Sequence, residues 1–258
     1  MITLIGHGYI GSSLAKGLSN FNWISHTNEI PKNTTFIINA TGYVGNPNAD
    51  EIESRKNFCI DANVLFPMKL EQTTNMPIIH ITSGCVYDGY KDGGWLETDE
   101  SNLNYDNGSF YGGSKALLEK LMTPYLSKSY LFRIRLPFGR DKHKKNLLCK
   151  LTKYEKLVNY RNSITCVEDL INVVNYFIES RPEYGTYNIT NPGSITTRQI
   201  ADMLGLSKEW FTEEEYKKTI LATRSNCTLN TNKLESVFAM PSIEDALKIT
   251  IDEYRKQV

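Results

Sequence analysis

The sequence predicts an α/β fold: a doubly wound parallel sheet of the Rossmann type, with a smaller C-terminal α/β lobe. Three observations carry this. First, the β-branched run Met1-Ile-Thr-Leu-Ile5 leads into Gly6-His-Gly8-Tyr-Ile-Gly11 and then into Ser12–Leu18 with helical spacing. Strand, glycine turn and helix in that order let backbone N–H groups and a helix N-terminus hold a pyrophosphate. Second, the apolar runs Pro77–Ser83 and Tyr130–Pro137 read as buried parallel strands. Third, between them lies Tyr111-Gly-Gly-Ser-Lys115, a pair four residues apart that shares one helix face.

In chain order, Gly6, Gly8, Tyr9, Ile10 and Gly11 form the first candidate cofactor contact. Asn22–His26 is the next strand and should end near an adenosine ribose. An acid there would hold the ribose 2′-hydroxyl of NAD. None follows at once, since Glu29 already sits in the loop, and no arginine marks a 2′-phosphate site. NADPH is therefore allowed, with NADH as the alternative. The loop Thr27–Asn33 leaves too few residues for an ordinary crossover helix before the strand at Thr35. The second helix is expected to be missing or a single turn. Ala40, Thr41 and Gly42 end the third strand, in a turn flat enough to pass beneath a cofactor.

Gly45–Asp50 is turn chemistry, and Glu51 to about Leu70 has helical spacing with Asn63 inside it. Ser83, Gly84 and Cys85 lie at the C-terminal end of a buried strand, where open α/β sheets bind ligands. Lys91–Glu100 is a polar loop leading to the Tyr111 helix. After Gly139 come the basic loop Arg140–Lys145 and a helix from Asn146 to Tyr154. A helix over Val167–Ser180, a strand at Tyr187, a capped helix over Thr196–Leu204 and a closing helix near Ser242–Lys256 follow. These place a dinucleotide-binding domain at 1–138, with 166–190 returning to it, and a mainly substrate-binding domain at 139–258.

Bulk properties exclude several classes. Lys+Arg and Asp+Glu balance at 29 each, so no basic surface argues for nucleic acid or an anionic membrane. There is no apolar run of about 18 residues and no signal-peptide pattern. The five cysteines, Cys59, Cys85, Cys149, Cys166 and Cys227, are odd in number and lack metal-ligand spacing. A reduced cytoplasmic protein without a metal is the expectation; a homodimer is allowed.

The Tyr111–Lys115 pair has its own chemistry. A nearby ammonium favours the phenolate and is expected to lower the tyrosine pKa toward working pH. The result is a proton donor for an oxygen that turns negative as a carbonyl is reduced. The plain alternative is an amphipathic helix with an exposed lysine.

Taken with the glycine series and Thr82-Ser83, this order resembles the extended, sugar-nucleotide-modifying branch of the short-chain dehydrogenase/reductase superfamily. Thr82-Ser-Gly-Cys-Val-Tyr87, Gly108-Ser-Phe-Tyr-x-x-x-Lys115, Arg135-Leu-Pro137, Thr190-Asn-Pro-Gly193 and Arg224-Ser-Asn226 resemble the nucleotide-rhamnose synthase/epimerase-reductase family almost end to end. A related family is dTDP-4-dehydrorhamnose reductase. The resemblance implies NADPH, a UDP- or dTDP-4-keto-6-deoxyhexose substrate and reduction at C4 by Ser83, Tyr111 and Lys115. It also implies that Asn63 supports the active-site backbone, Pro137 lies near the nicotinamide and Arg224 holds a nucleotide phosphate. It places the acid of a 3,5-epimerisation at Lys150; a cousin family has a histidine where this chain has Asn146, and His143 is the reserve.

Chemistry independently favours an epimerase half. Hydrogens on C3 and C5 flank the C4 ketone, and inversion there requires a base and an acid on opposite faces. Cys85 can be that base if a cation favours its thiolate. Two rival readings remain at this level: a reductase-only enzyme with a structural Cys85, and a non-catalytic regulatory subunit on the same fold. A damaged Ser/Tyr/Lys set would mark the second, and here all three are intact.

Overall fold

The computed structural model of the protein describes residues 1–256. Its first half alternates strand and helix: β1 (Ile2–Ile5), α1 (Tyr9–Gly17), β2 (Phe21–Ile24), β3 (Phe36–Asn39), α2 (Lys56–Ile60), α3 (Phe66–Thr73), β4 (Ile78–Ser83), α4 (Phe110–Met122) and β5 (Ser129–Ile134). Then come α5 (Leu147–Lys153), β6 (Lys156–Val158), β7 (Arg161–Asn162), α6 (Val167–Ser180), β8 (Gly185–Asn188), β9 (Ile195–Thr196) and α7 (Thr197–Met203). The chain closes with β10 (Glu209–Phe211), α8 (Glu213–Thr219), α9 (Asn232–Glu235) and α10 (Ile243–Arg255).

Six strands form one sheet in the order β2-β1-β3-β4-β5-β8, and every pairing in it is parallel. The α/β class expected from the sequence is the one observed. Strand order reverses between β1 and β3, which opens a crevice at their C-terminal ends. Side chains alternate across the sheet. Leu4, Phe36, Ile38 and Phe132 pack on one face with Leu14 of α1 and Leu170, Val174 and Phe177 of α6. Ile5, Ile37 and Ile78 pack on the other with Leu70 of α3. Buried on both faces, these strands read as continuous apolar runs. A separate core joins Phe138, Leu148 and Leu157 to Ile195, Ile200, Leu247 and Ile251, all from the second half of the chain.

No helix lies between β2 and β3, as the short loop requires. The Glu51–Leu70 stretch is less regular than its spacing suggests. A 3-10 segment (Ala49–Ser54) breaks at Arg55, and α2 runs through a π-helical turn (Asp61–Leu65) into α3. Such single π turns often mark functional sites, and here the turn carries Asn63. The two small sheets, β6 with β10 and β7 with β9, and helices α8 and α9 are absent from the sequence reading. Their segments are too short for periodicity to report. No helix among the described residues is long and apolar enough to cross a membrane.

Candidate active site

The three glycines of the first turn do different jobs. Gly6 has φ +110, and a Cβ there would meet the Ala40 carbonyl carbon at 2.9 Å. A Cβ on Gly11 would fall 2.2 Å from the Gly6 oxygen. Both are glycine because the chain packs on itself. Gly8 differs: a Cβ would meet nothing within 4 Å. A side chain at Gly6 or Gly11 would therefore meet the protein's own backbone first, and of the three only Gly8 borders open space. Gly8 also caps α1, whose first turn has neither a side-chain cap nor an acidic residue. Its N–H groups are left for an anion. Tyr9 turns inward instead. Its ring is 8% exposed and stacks on His143 at 4.6 Å. Ile10 packs on the main core, as does Ala40 beyond β3. Thr41 donates its N–H (3.1 Å) and hydroxyl to Asn39 Oδ1.

A second group converges where β3, β4 and β5 end. Asn63, fully buried, brackets the Tyr43 backbone: Oδ1 accepts from Tyr43 N–H and Nδ2 donates to Tyr43 C=O, both at 2.9 Å. The same Oδ1 accepts from Lys115 Nζ at 3.3 Å. A Cβ on Gly42 would lie 3.2 Å from that oxygen and 3.7 Å from Nζ. One amide thus ties the turn after β3 to the Tyr111 helix. That helix, α4, starts under a Ser109 cap that accepts from Gly112 N–H at 3.1 Å. It crosses so close to the β4 end that a Cβ on Gly112 would come 3.0 Å from the Cys85 carbonyl. Ser83 accepts from Cys85 N–H at 3.1 Å. Two local pairs, Ser83 with Cys85 at the end of β4 and Tyr111 with Lys115 on α4, are brought together here.

The electrostatics overturn one expectation. Burial raises the Tyr111 phenol, with Cys85 reinforcing the rise and the Ser83 hydroxyl opposing it. Lys115 does not lower it. Its ammonium lies over the Tyr111 ring, 5.7 Å from the centroid, and is itself desolvated, with a pKa depressed to about 8. Desolvation outweighs the long-range attraction. At neutral pH the phenol is protonated, the form a proton donor needs.

Lys150 of α5 is likewise depressed to about 8, by burial first and then by the charges of Lys145 and Arg224. It makes no hydrogen bond to the Ser83–Tyr111 group among the described residues. His143 is held elsewhere, stacked on Tyr9 with Nδ1 accepting from Lys145 N–H at 3.1 Å. Asn146 is a buried cap of α5 that donates to the Gly139 and Asp141 carbonyls at 2.6 and 2.7 Å. Pro137 follows Leu136, whose φ of +36 is strained for a branched residue, and its carbonyl accepts from Leu147 N–H at 3.0 Å. Arg224 pairs with Asp50 at 2.9 Å and also donates to the Ala222 carbonyl at 2.6 Å.

Sequence reasoning quoted Arg135 in a motif but gave it no role. It is 1% exposed, and its Nη1 lies 3.6 Å from Cys85 Sγ. The signal was present: Arg133 and Arg135 are two charged residues in the otherwise apolar run Tyr130–Pro137. Lys145 was also missed. It reaches the Gly45 carbonyl and, at 3.2 Å, that of Pro47.

The family described as RmlD substrate binding domain matches residues 25–256. The chain belongs to that family. A bifunctional dTDP-4-dehydrorhamnose 3,5-epimerase/dTDP-4-dehydrorhamnose reductase of Arabidopsis thaliana is 32% identical over 225 residues, covering 82% of this chain and 74% of that one. Trifunctional UDP-glucose 4,6-dehydratase/3,5-epimerase/reductase proteins of the same plant are 30–32% identical, and the chain spans about a third of their length. Among solved structures, the L780 UDP-rhamnose synthase of Acanthamoeba polyphaga mimivirus superposes with a TM-score of 0.88 at 22% identity, covering 98% of this chain and 99% of that one. A Bacillus anthracis dTDP-4-dehydrorhamnose reductase solved with NADP gives 0.82 at 19% identity, covering 98% of each chain. These likenesses establish the fold, and the resemblance to the rhamnose-reductase type of short-chain dehydrogenase/reductase holds at the level of family.

Proposed function

We propose that the protein reduces C4 of a UDP- or dTDP-4-keto-6-deoxyhexose with NADPH and first epimerises C3 and C5, giving a nucleotide-linked L-rhamnose. The observation that carries this reading is the convergence of Cys85 with Ser83, Tyr111 and Lys115 at one end of the sheet. The relatives' printed activities, epimerase and reductase in one chain, support it, as does NADP in a fold neighbour. The chain divides at about residue 138, and the second core carries the substrate lobe.

The residues present fit a dinucleotide. Gly8 leaves the uncapped N-terminus of α1 open to a pyrophosphate. Gly6, Gly11 and the backbone of Tyr9 and Ile10 shape that turn. Ala40, Thr41 and Gly42 would border the adenosine side, and Tyr111, Lys115 and Pro137 the nicotinamide side. When bound, NADPH supplies a hydride to C4. The chain's own groups do the rest. Cys85 removes a proton beside the C4 ketone, and charge moves onto O4, where Ser83 and Tyr111 donate hydrogen bonds. Lys150 returns a proton to the opposite face, and Arg224 would leave Asp50 for a substrate phosphate. In the reductive step Tyr111 gives its proton to O4 and the Lys115 ammonium balances the charge left behind.

The test is incubation with UDP-4-keto-6-deoxy-glucose and NADPH, with the product identified by NMR. UDP-L-rhamnose is expected. A 6-deoxy sugar of unchanged C3 and C5 configuration would rule out the epimerase half, and no turnover of either the UDP- or the dTDP-linked ketosugar would rule out the reading.

A further inference from the structure

Arg135 poses an electrostatic problem. Its side chain is 1% exposed, and it forms no ion pair with a carboxylate among the described residues. Arg133, two residues earlier on the same strand side, shows what a satisfied neighbour looks like, with Nε and Nη2 on Glu119 at 2.8 and 2.7 Å. Arg135 instead donates to neutral groups: Nη1 to Ser225 Oγ at 2.9 Å, Nη2 to the Ser225 carbonyl at 3.1 Å and to Asn162 Oδ1. Its Nε has no partner. A buried charge without an anion is costly unless an anion is available.

Nη1 also faces Cys85 Sγ at 3.6 Å, and the fold is shaped around that approach. A Cβ on Gly84 would fall 2.9 Å from Arg135 Cγ, so glycine lets the arginine stem pass beneath the Ser83–Cys85 turn. We infer that Arg135 is the resident counter-ion of a Cys85 thiolate. It is a positioning residue for the epimerisation base, so this rests on the proposed role of Cys85.

The other groups around Cys85 leave it this part. From α4, Tyr111 faces it protonated, and Lys115 lies beyond, held by Asn63. From the loop before α9, Cys227 also approaches Arg135. That thiol is fully buried and donates to the Gly84 carbonyl at 3.6 Å, and burial pushes its pKa up. Asp88 acts on Arg135 only at longer range, and its Oδ1 is taken by Asn226 N–H at 2.7 Å. Cys85, partly exposed, is the sulfur placed to carry the charge.

The experiment follows alkylation of Cys85 by iodoacetamide, read by mass spectrometry of its peptide, in wild type, Arg135→Gln and Arg135→Lys. An opposite charge at this distance changes ionisation by about tenfold or more. At about pH 7 the rate should therefore fall about tenfold in Arg135→Gln and much less in Arg135→Lys. Near pH 10, where a free thiol is ionised in any case, the three rates should agree within about twofold, which separates charge from altered access. The same ratio of rates at the two pH values in wild type and Arg135→Gln would overturn the inference. If Arg135→Gln does not fold, thiolate absorbance of wild type minus Cys85→Ser decides. About one thiolate equivalent near pH 7 supports the pair, and none overturns it. Wild type that alkylates readily but never exchanges substrate protons keeps the ion pair and removes its proposed use as a base.

Discussion

Two side chains four residues apart, Tyr111 and Lys115, are both shifted toward their neutral forms by burial. For Lys115 the shift has a thermodynamic sign. With a folded pKa near 8 against 10.5 for an exposed lysine, both folded and unfolded chains carry the proton below about pH 8, and the full burial penalty is present. Between about pH 8 and 10.5 the unfolded chain holds more protons, so stability rises with pH. At about 1.4 kcal/mol per pH unit the penalty at neutral pH is on the order of 3 kcal/mol. Lys115→Met should therefore raise the unfolding free energy in urea by up to about that amount while abolishing reduction. A loss of stability in that variant would count against the buried-charge account. Tyr111→Phe keeps the ring and deletes the donor, so NADPH oxidation on a 4-keto-rhamnose nucleotide should fall about 10²–10⁴-fold. Lys150, also near 8, loses its proton above that pH. Net C3/C5 inversion should therefore decline through about pH 8, measured with NADPH absent so that reduction does not mask it.

At the scale of elements, α1 and the turn before it separate fold from binding. Gly11→Ala drives a Cβ into the Gly6 carbonyl and should unfold or badly weaken the first βα unit. Gly8→Val enters open space, so its thermal midpoint should stay near wild type while NADPH binding is lost. Calorimetry on the two variants distinguishes them. The strand–turn–helix order was legible because apolar period and glycine placement report local geometry. The assignment of different jobs to the three glycines was not, because it depends on what the backbone meets in space. The same limit applies to Arg135, visible as a charge at the end of a buried strand but not as the neighbour of a cysteine fifty positions earlier. Asn63 shows the converse. Its role was carried by family resemblance alone, and only the structure shows which groups it bonds, Tyr43 and Lys115.

Across the whole molecule, two cations of the second half hold the loop after β3. Lys145 reaches Gly45 and Pro47, and Arg224 holds Asp50, whose carboxylate also accepts from Leu221 and Ala222 N–H at 3.2 and 2.9 Å. The Arg224–Asp50 pair is about a quarter exposed on each side, so its contribution to stability is below about 1 kcal/mol. Arg224→Ala should leave the urea midpoint nearly unchanged. If this guanidinium takes the substrate phosphate, KM for the nucleotide sugar should rise about tenfold or more with kcat little altered. Parallel strands and helices followed from local pattern over most of the first half, whereas the strand order and its reversal point came only with the structure. The small sheets β6–β10 and β7–β9 did not, since strands of two or three residues carry no readable alternation.

The central claim is that one site removes protons at C3 and C5 and also reduces C4. Its most direct test is deuterium uptake from D₂O into UDP-4-keto-6-deoxy-glucose with NADPH withheld, followed by NMR. Wild type should label both carbons. Cys85→Ser should label neither, because a serine hydroxyl is far less acidic than a thiol, yet it should still oxidise NADPH on the pre-epimerised 4-keto-rhamnose nucleotide. Wild type that takes up no deuterium at either carbon while reducing that nucleotide would contradict the claim and leave a reductase with an ordinary strand-end thiol at Cys85.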